Sequence, residues 1–158
     1  MQKITPCLWF EGNGQEAADF YLSVFPNAKK GRVSYYGEGA PLPAGTLLTV
    51  ELELEGQEFI ILNGGPYVKF NDAVSFTVYC DSQEEVDRYW TQLTADGGQE
   101  VQCGWLKDKF GLSWQITPSI MPGYITDPDP EKVNRVMQAM MKMIKLDIAT
   151  LQRAYNGE

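Results

Sequence analysis

The sequence predicts an α+β fold: paired βαβββ modules forming a curved mixed β-sheet cavity, followed by a C-terminal helical tail. Three observations predict it. Strand-like and helix-like periodicities follow one another in the same order twice. Two segments align at an offset of 68 residues, Asn13–Tyr21 on Asp81–Tyr89, with Gln, Glu, Asp and Tyr identical in register. Each follows a strand-like run and opens a helix-like one. Modules that cannot bury a sheet face alone must pack together. Beyond Pro118 the pattern becomes helical. The organisation expected is a first module over residues 1–66, a second over 72–118 and tail helices over 127–156.

In the first module, Ile4 to Phe10 is rich in large apolar residues and stops at Gly12-Asn13-Gly14, so it reads as a strand. Asn13 is the expected helix cap, with Glu16 three residues on. Ala17, Phe20, Tyr21, Val24 and Phe25 then recur at helical spacing until Pro26-Asn27. Arg32 to Tyr36 is strand-like, and the glycines and prolines of 37–45 mark a loop. Thr46 to Glu55 alternates, with Leu48, Val50, Leu52 and Leu54 on one side and Thr49, Glu51, Glu53 and Glu55 on the other. Glu55-Gly56-Gln57 turns the chain into a hairpin partner, Glu58 to Asn63.

The second module repeats this. Ala73 to Cys80 is a strand; Asp81 or Ser82 caps a helix to about Asp96, ended by Gly97-Gly98. Strands are expected at Gln99 to Leu106 and Leu112 to Thr117, with a turn between. In the tail, Asp127-Pro128-Asp129-Pro130-Glu131 opens a helix with proline in its first turn. Val133, Val136, Met137, Met140, Met141 and Ile144 are its expected apolar stripe, and Asp147 to Tyr155 a shorter last helix.

Composition narrows the chemistry. With 44% apolar and 22% charged residues, the 158-residue chain can bury a core without staples. Histidine is absent, which removes His-based triads, Cys-His dyads and imidazole metal ligands. A net charge of −8 argues against nucleic acid and anionic membranes as partners. Three cysteines without paired spacing do not form a disulfide framework. No leader pattern opens the sequence and no apolar run would span a bilayer, so a cytoplasmic protein is expected.

Residues 3–118 resemble the vicinal oxygen chelate superfamily of glyoxalase I, bleomycin-resistance proteins and extradiol dioxygenases. The resemblance is to its PhnB-like branch, described as 3-demethylubiquinone-9 3-methyltransferase-like. It is carried by Trp9-Phe10-Glu11-Gly12-Asn13 with Glu16-Ala17-Ala18 and Phe20-Tyr21, by Leu62-Asn63-Gly64-Gly65-Pro66, by Cys103-Gly104-Trp105-Leu106-Lys107-Asp108 and by Gly111-Leu112-Ser113-Trp114-Gln115-Ile116. The resemblance implies paired βαβββ modules, commonly in a homodimer that exchanges them. It also implies one divalent metal on the first and fourth strands, held by His and Glu. Those positions fall here on Ser75, its repeat twin Cys7, Gln115, and either Ile61 or Asn63. None supplies charge to a hard cation, and one thiol does not make a zinc site, so no metal and no cofactor are expected.

Strand alternation gives the cavity wall instead. Ser75, Thr77 and Tyr79 share one face, and the repeat adds Cys7 and Trp9, with Leu8 and Phe10 under the first helix. Asn63, Trp105 and Gln115 complete the candidate ligand-binding set. An apolar bowl with neutral polar groups suits a small aromatic or hydrophobic compound. Each residue also has a plainer role: Trp9, Trp105 and Trp114 as core, Gln115 as a strand partner, Asn63 as a turn former, Glu51, Glu53 and Glu55 as a solvated face. Cys103 and Tyr79 are the candidate catalytic groups, and a buried thiol is the plainer reading of every cysteine. Three functions compete: metal-free binding of a small molecule, a metal-independent enzyme, and the methyl transfer in the branch's description. The last lacks a glycine-rich nucleotide-binding turn.

Overall fold

The computed structural model describes residues 2–158 and divides into two units, the boundary falling between Lys69 and Phe70. In the first unit, β1 (Cys7–Glu11), α1 (Gly14–Val24), β2 (Lys29–Tyr35), β3 (Leu47–Leu54) and β4 (Gln57–Gly64) form a sheet of order β1-β4-β3-β2. β1 runs parallel to β4 and the other pairs are antiparallel. The β3–β4 hairpin turns on Glu55 and Gly56, both at positive φ, as a two-residue type I′ turn requires. Leu8, Phe10, Val50, Leu52, Phe59 and Ile61 are buried on one face, where Ala17, Tyr21 and Val24 of α1 are buried too. The alternation expected of β1 is the observed one.

The second unit repeats the order: β5 (Ser75–Cys80), α2 (Gln83–Leu93), β6 (Gln99–Glu100), β7 (Trp105–Lys107) and β8 (Ser113–Pro118), arranged β5-β8-β7-β6 with β5 parallel to β8. Each unit is therefore a βαβββ module with a four-stranded mixed sheet. The Ser82 hydroxyl caps α2 by accepting from Glu85 N, and Glu85 reaches back to Asp81 N.

Local expectations fail where tertiary contacts decide. Asn13 makes no side-chain cap on α1; the first helical N–H, at Gly14, is taken by Asn63 of β4. α2 stops at Leu93, and a 3-10 turn over Ala95–Gly97 carries Asp96 at φ 56°. The strand expected over 99–106 is broken after Glu100. There Cys103 and Gly104 adopt positive φ and donate their N–H groups to Met143 O and Ile144 O, each at 2.8 Å.

Those bonds belong to the tail, which lies in the second unit. It contains an unforeseen short helix, α3 (Met121–Ile125), then α4 (Pro130–Met140) and α5 (Ile148–Asn156). Met121, Val136, Leu146 and Leu151 form its buried cluster, with Tyr124, Met140, Met143 and Tyr155 packed around them. The stripe expected along α4 is narrower than its spacing suggested. The helix ends at Met140, and Met141 is left 64% exposed and Ile144 51%. Gln83 fastens the tail to α2, donating to Leu146 O at 3.2 Å and accepting from Ile148 N at 2.9 Å. Among the described residues no helix is long and apolar enough to cross a membrane.

Candidate ligand-binding faces

Each sheet has one face covered by its helix and one open face. The cross-strand register of the first sheet places Cys7 beside Ile60, Trp9 beside Leu62 and Glu11 beside Gly64, with Thr49 and Glu51 continuing the two rows. Cys7 is exposed as a residue, yet partial burial of its thiol raises the pKa above the ordinary value, which keeps it a poor nucleophile. Trp9 is half-buried. Its indole N–H donates to Gly65 O at 2.8 Å, and its ring fills the space that a Cβ on Gly64 would need, 2.3 Å from it. Tyr67 meets it nearly edge-on, at 72° and 6.5 Å between centroids.

Asn63 is not on this face. It is 3% exposed and turned under α1, where its Oδ1 accepts from Gly14 N at 2.9 Å and its Nδ2 donates to Leu47 O at 3.0 Å. Both ends of the amide are committed to the fold, which removes Asn63 from the ligand set. The register also corrects the expected twin of Gln115. Trp9 pairs with Leu62 as Thr77 pairs with Gln115, so Leu62 is the equivalent position. Ile61 and Asn63 project to the other side.

A cavity of about 550 Å³ lies in this unit, with Ile60, Glu51, Glu53 and Glu58 in its wall. Arg32 grips Glu51 through two nitrogens, at 2.6 and 2.9 Å, and Lys29 meets Glu53 at 3.0 Å. The Arg32 guanidinium, as hydrogen-bond donor and as charge, holds the Glu51 carboxyl below the usual range. These cross-strand pairs were not expected from the sequence. The alternating glutamates of β3 were visible, but their partners follow only from the β2–β3 register, which contains bulges.

On the second sheet, Ser75, Thr77 and Tyr79 share the open face with Ser113, Gln115, Thr117, Trp105 and Lys107. Gln115 Nε2 donates to Ser75 Oγ at 2.9 Å. That bond leaves the Gln115 carbonyl oxygen as an acceptor and the Ser75 hydroxyl hydrogen as a donor. Trp105, half-buried, is the neighbour of Gln115 on β7, and Tyr79 is 58% exposed. Asp72 receives Ser113 Oγ at 2.8 Å and Lys107 Nζ at 3.0 Å, and these hydrogen bonds lower its pKa. Trp114 lies on the covered face, and its indole donates to the buried Asp108 at 2.9 Å; it is core.

The remaining cysteines lie off the open faces' rows of Cys7 and Ser75. Cys80 is fully buried and its thiol is pushed up to about 12, chiefly by burial. Cys103 sits in the left-handed turn that anchors the tail. The superfamily's metal does not fit the donor set. The register-equivalent positions are Cys7 and Leu62 in one unit and Ser75 and Gln115 in the other: a thiol, a hydrocarbon, a hydroxyl and an amide. Ser75 and Gln115 bond to each other, and none carries the charge that offsets dehydration of a hard cation. Among the described residues no three acidic or thiol side chains gather closely enough to bind a metal.

Two βαβββ modules, each with a helix on one side of its mixed sheet, define the glyoxalase-like fold of the vicinal oxygen chelate superfamily. Residues 2–117 match the family described as 3-demethylubiquinone-9 3-methyltransferase, and the chain belongs to that PhnB-like family. It is 35% identical to the PhnB protein of Bacillus cereus, which carries the same description, over 75% of this chain and 100% of that one, with a TM-score of 0.68. The protein PA1353 of Pseudomonas aeruginosa shares the fold at 22% identity and a TM-score of 0.62, over 75% of this chain and 98% of its own. So does the fosfomycin-resistance protein FosX of Listeria monocytogenes, at 15% identity and a TM-score of 0.58, over 80% and 98%. No curated protein matches the chain.

Proposed function

We propose that the protein binds a small aromatic or hydrophobic molecule on the open sheet faces, without a metal. The observation that carries this reading is the Ser75–Gln115 hydrogen bond at 2.9 Å. It occupies, with neutral groups, the positions where the superfamily places charged or imidazole ligands. Beside it on the second sheet stand Trp105, Thr77 and Tyr79; Trp9, Cys7 and Leu62 share the open face of the first sheet, taken by itself. Such a surface holds a ligand by stacking and by one donor–acceptor pair. Homodimer formation belongs to the same reading, as the superfamily resemblance implies.

Catalysis has less support. Among the described residues no side-chain hydrogen bond joins the Tyr79 hydroxyl or the Cys103 thiol to a base. A mixed sheet with a single parallel pair also differs from the doubly wound parallel sheet that binds dinucleotides.

The test is a calorimetric titration of untagged protein with a panel of neutral bicyclic aromatics such as naphthols and quinolones. Binding of at least one compound is expected, weakened about ten-fold in Gln115→Ala or Trp105→Ala, as loss of about 1.4 kcal/mol of contact implies. Failure of the whole panel, or equal affinity in both variants, would contradict the proposal.

A further inference from the structure

The first sheet carries a feature that defines the ligand class more narrowly, on the reading that its open face binds a ligand. We propose that Trp9, Tyr67 and Glu11 form a receptor for an organic cation, an alkylammonium group on or as the ligand.

The two rings are held by the chain rather than by burial. The Gly65 carbonyl accepts from the Trp9 indole at 2.8 Å and from the Tyr67 backbone N–H at 2.9 Å, so one oxygen fixes both residues. Two glycines make the room. A Cβ on Gly64 would lie 2.3 Å from the Trp9 ring, and one on Gly65 would lie 2.6 Å from the Tyr67 ring. Tyr67 is 80% exposed, so hydrophobic burial does not account for its position. The rings stand at 72° with centroids 6.5 Å apart, an edge-on corner in which the Tyr67 ring is largely open to solvent. A cation within about 6 Å of a ring face is attracted by the ring quadrupole, most strongly by tryptophan.

The charge beside the corner is acidic and uncommitted. Glu11 follows Trp9 by two residues on β1, projects from the same face and lies beside Gly64 in the register. It is exposed, and among the described residues it has no hydrogen bond or ion pair. Glu51 and Glu53 on the same sheet are already neutralised by Arg32 and Lys29. The net charge of −8 adds a field of the same sign.

The experiment is a titration followed through the indole ¹H–¹⁵N signal of Trp9, assigned by its loss in Trp9→Phe. The probes are choline and its uncharged isostere 3,3-dimethylbutan-1-ol, together with the neutral aromatic panel. Choline is expected to shift the Trp9 signal and to bind at least five-fold tighter than the isostere. Glu11→Gln should remove most of that difference, as should Tyr67→Ala, whose exposed ring the fold does not need. Equal affinity for choline and its isostere, or a preference that survives both substitutions, would overturn the cation receptor. If neutral aromatics still bind, the ligand-binding reading stands without it; if no probe perturbs any residue of the open faces, that reading falls too.

Discussion

The Asn63 amide accepts from Gly14 at one end and donates to Leu47 at the other, both out of water. Removing it leaves two buried backbone groups unpaired, which costs more than the bonds themselves contribute. Asn63→Ala is therefore expected to destabilise the protein by about 2–4 kcal/mol in urea unfolding, and Asn63→Asp by no less at neutral pH, because its carboxylate sets a second acceptor against Leu47 O and buries a charge. Unchanged stability would show that water replaces the amide. The sequence located Asn63 in a family motif but not on a face, because its orientation depends on the pairing of β4 with β1 and β3. The shared face of Ser75, Thr77 and Tyr79 and that of Gln115 were legible from alternation, and those of Cys7 and Trp9 from the repeat, since a period of two leaves only two choices. The clamp of Arg32 on Glu51 and the seat of Trp9 over Gly64 were not, since both require knowing which strands meet.

Elements with strong local signals, α1, β3 and β4, fall close to their expected positions. Those that depart are shaped by distant chain. β6 ends at Glu100 because the backbone of Cys103 and Gly104 turns to meet Met143 and Ile144. α3 has proline and glycine within five residues, a composition that argues against a helix, and Met121 packs into the tail cluster. The tail lies beyond the residues matched by the family, yet it is built into its unit. Leu146 is 1% exposed, touches the space above Gly104 and presents its carbonyl to Gln83. Leu146→Ala should cost about 2–5 kcal/mol and raise the hydrogen-exchange rates of Cys103 and Gly104 amides. A tail that merely lies on the surface would change neither.

At the scale of the molecule, charge sets the response to pH. Asp72, Asp87, Asp127 and Asp147 are all held below the ordinary value of 3.8 by hydrogen bonds, from Lys107, Lys145, Tyr155 and Thr150 respectively. A depressed carboxyl stabilises the fold above its unfolded pKa, and that stability drains away as pH falls through the folded value. With no histidine, no side chain with an ordinary pKa titrates between about pH 5.5 and 7.5. The melting temperature should be flat across that range and fall below about pH 4.5. A slope near pH 6.5 would contradict this.

The absence of imidazole and the neutral pair at Ser75 and Gln115 support the central proposal, that the protein holds a ligand without a metal. The most direct measurement is the aromatic titration of untagged protein, run in excess chelator and again with manganese, nickel or zinc. The same affinity in every buffer, with no metal retained by the protein, is the result expected. Binding that vanishes in chelator and returns with one metal per chain would contradict the account and place charged ligands where the register puts a thiol, a hydrocarbon, a hydroxyl and an amide.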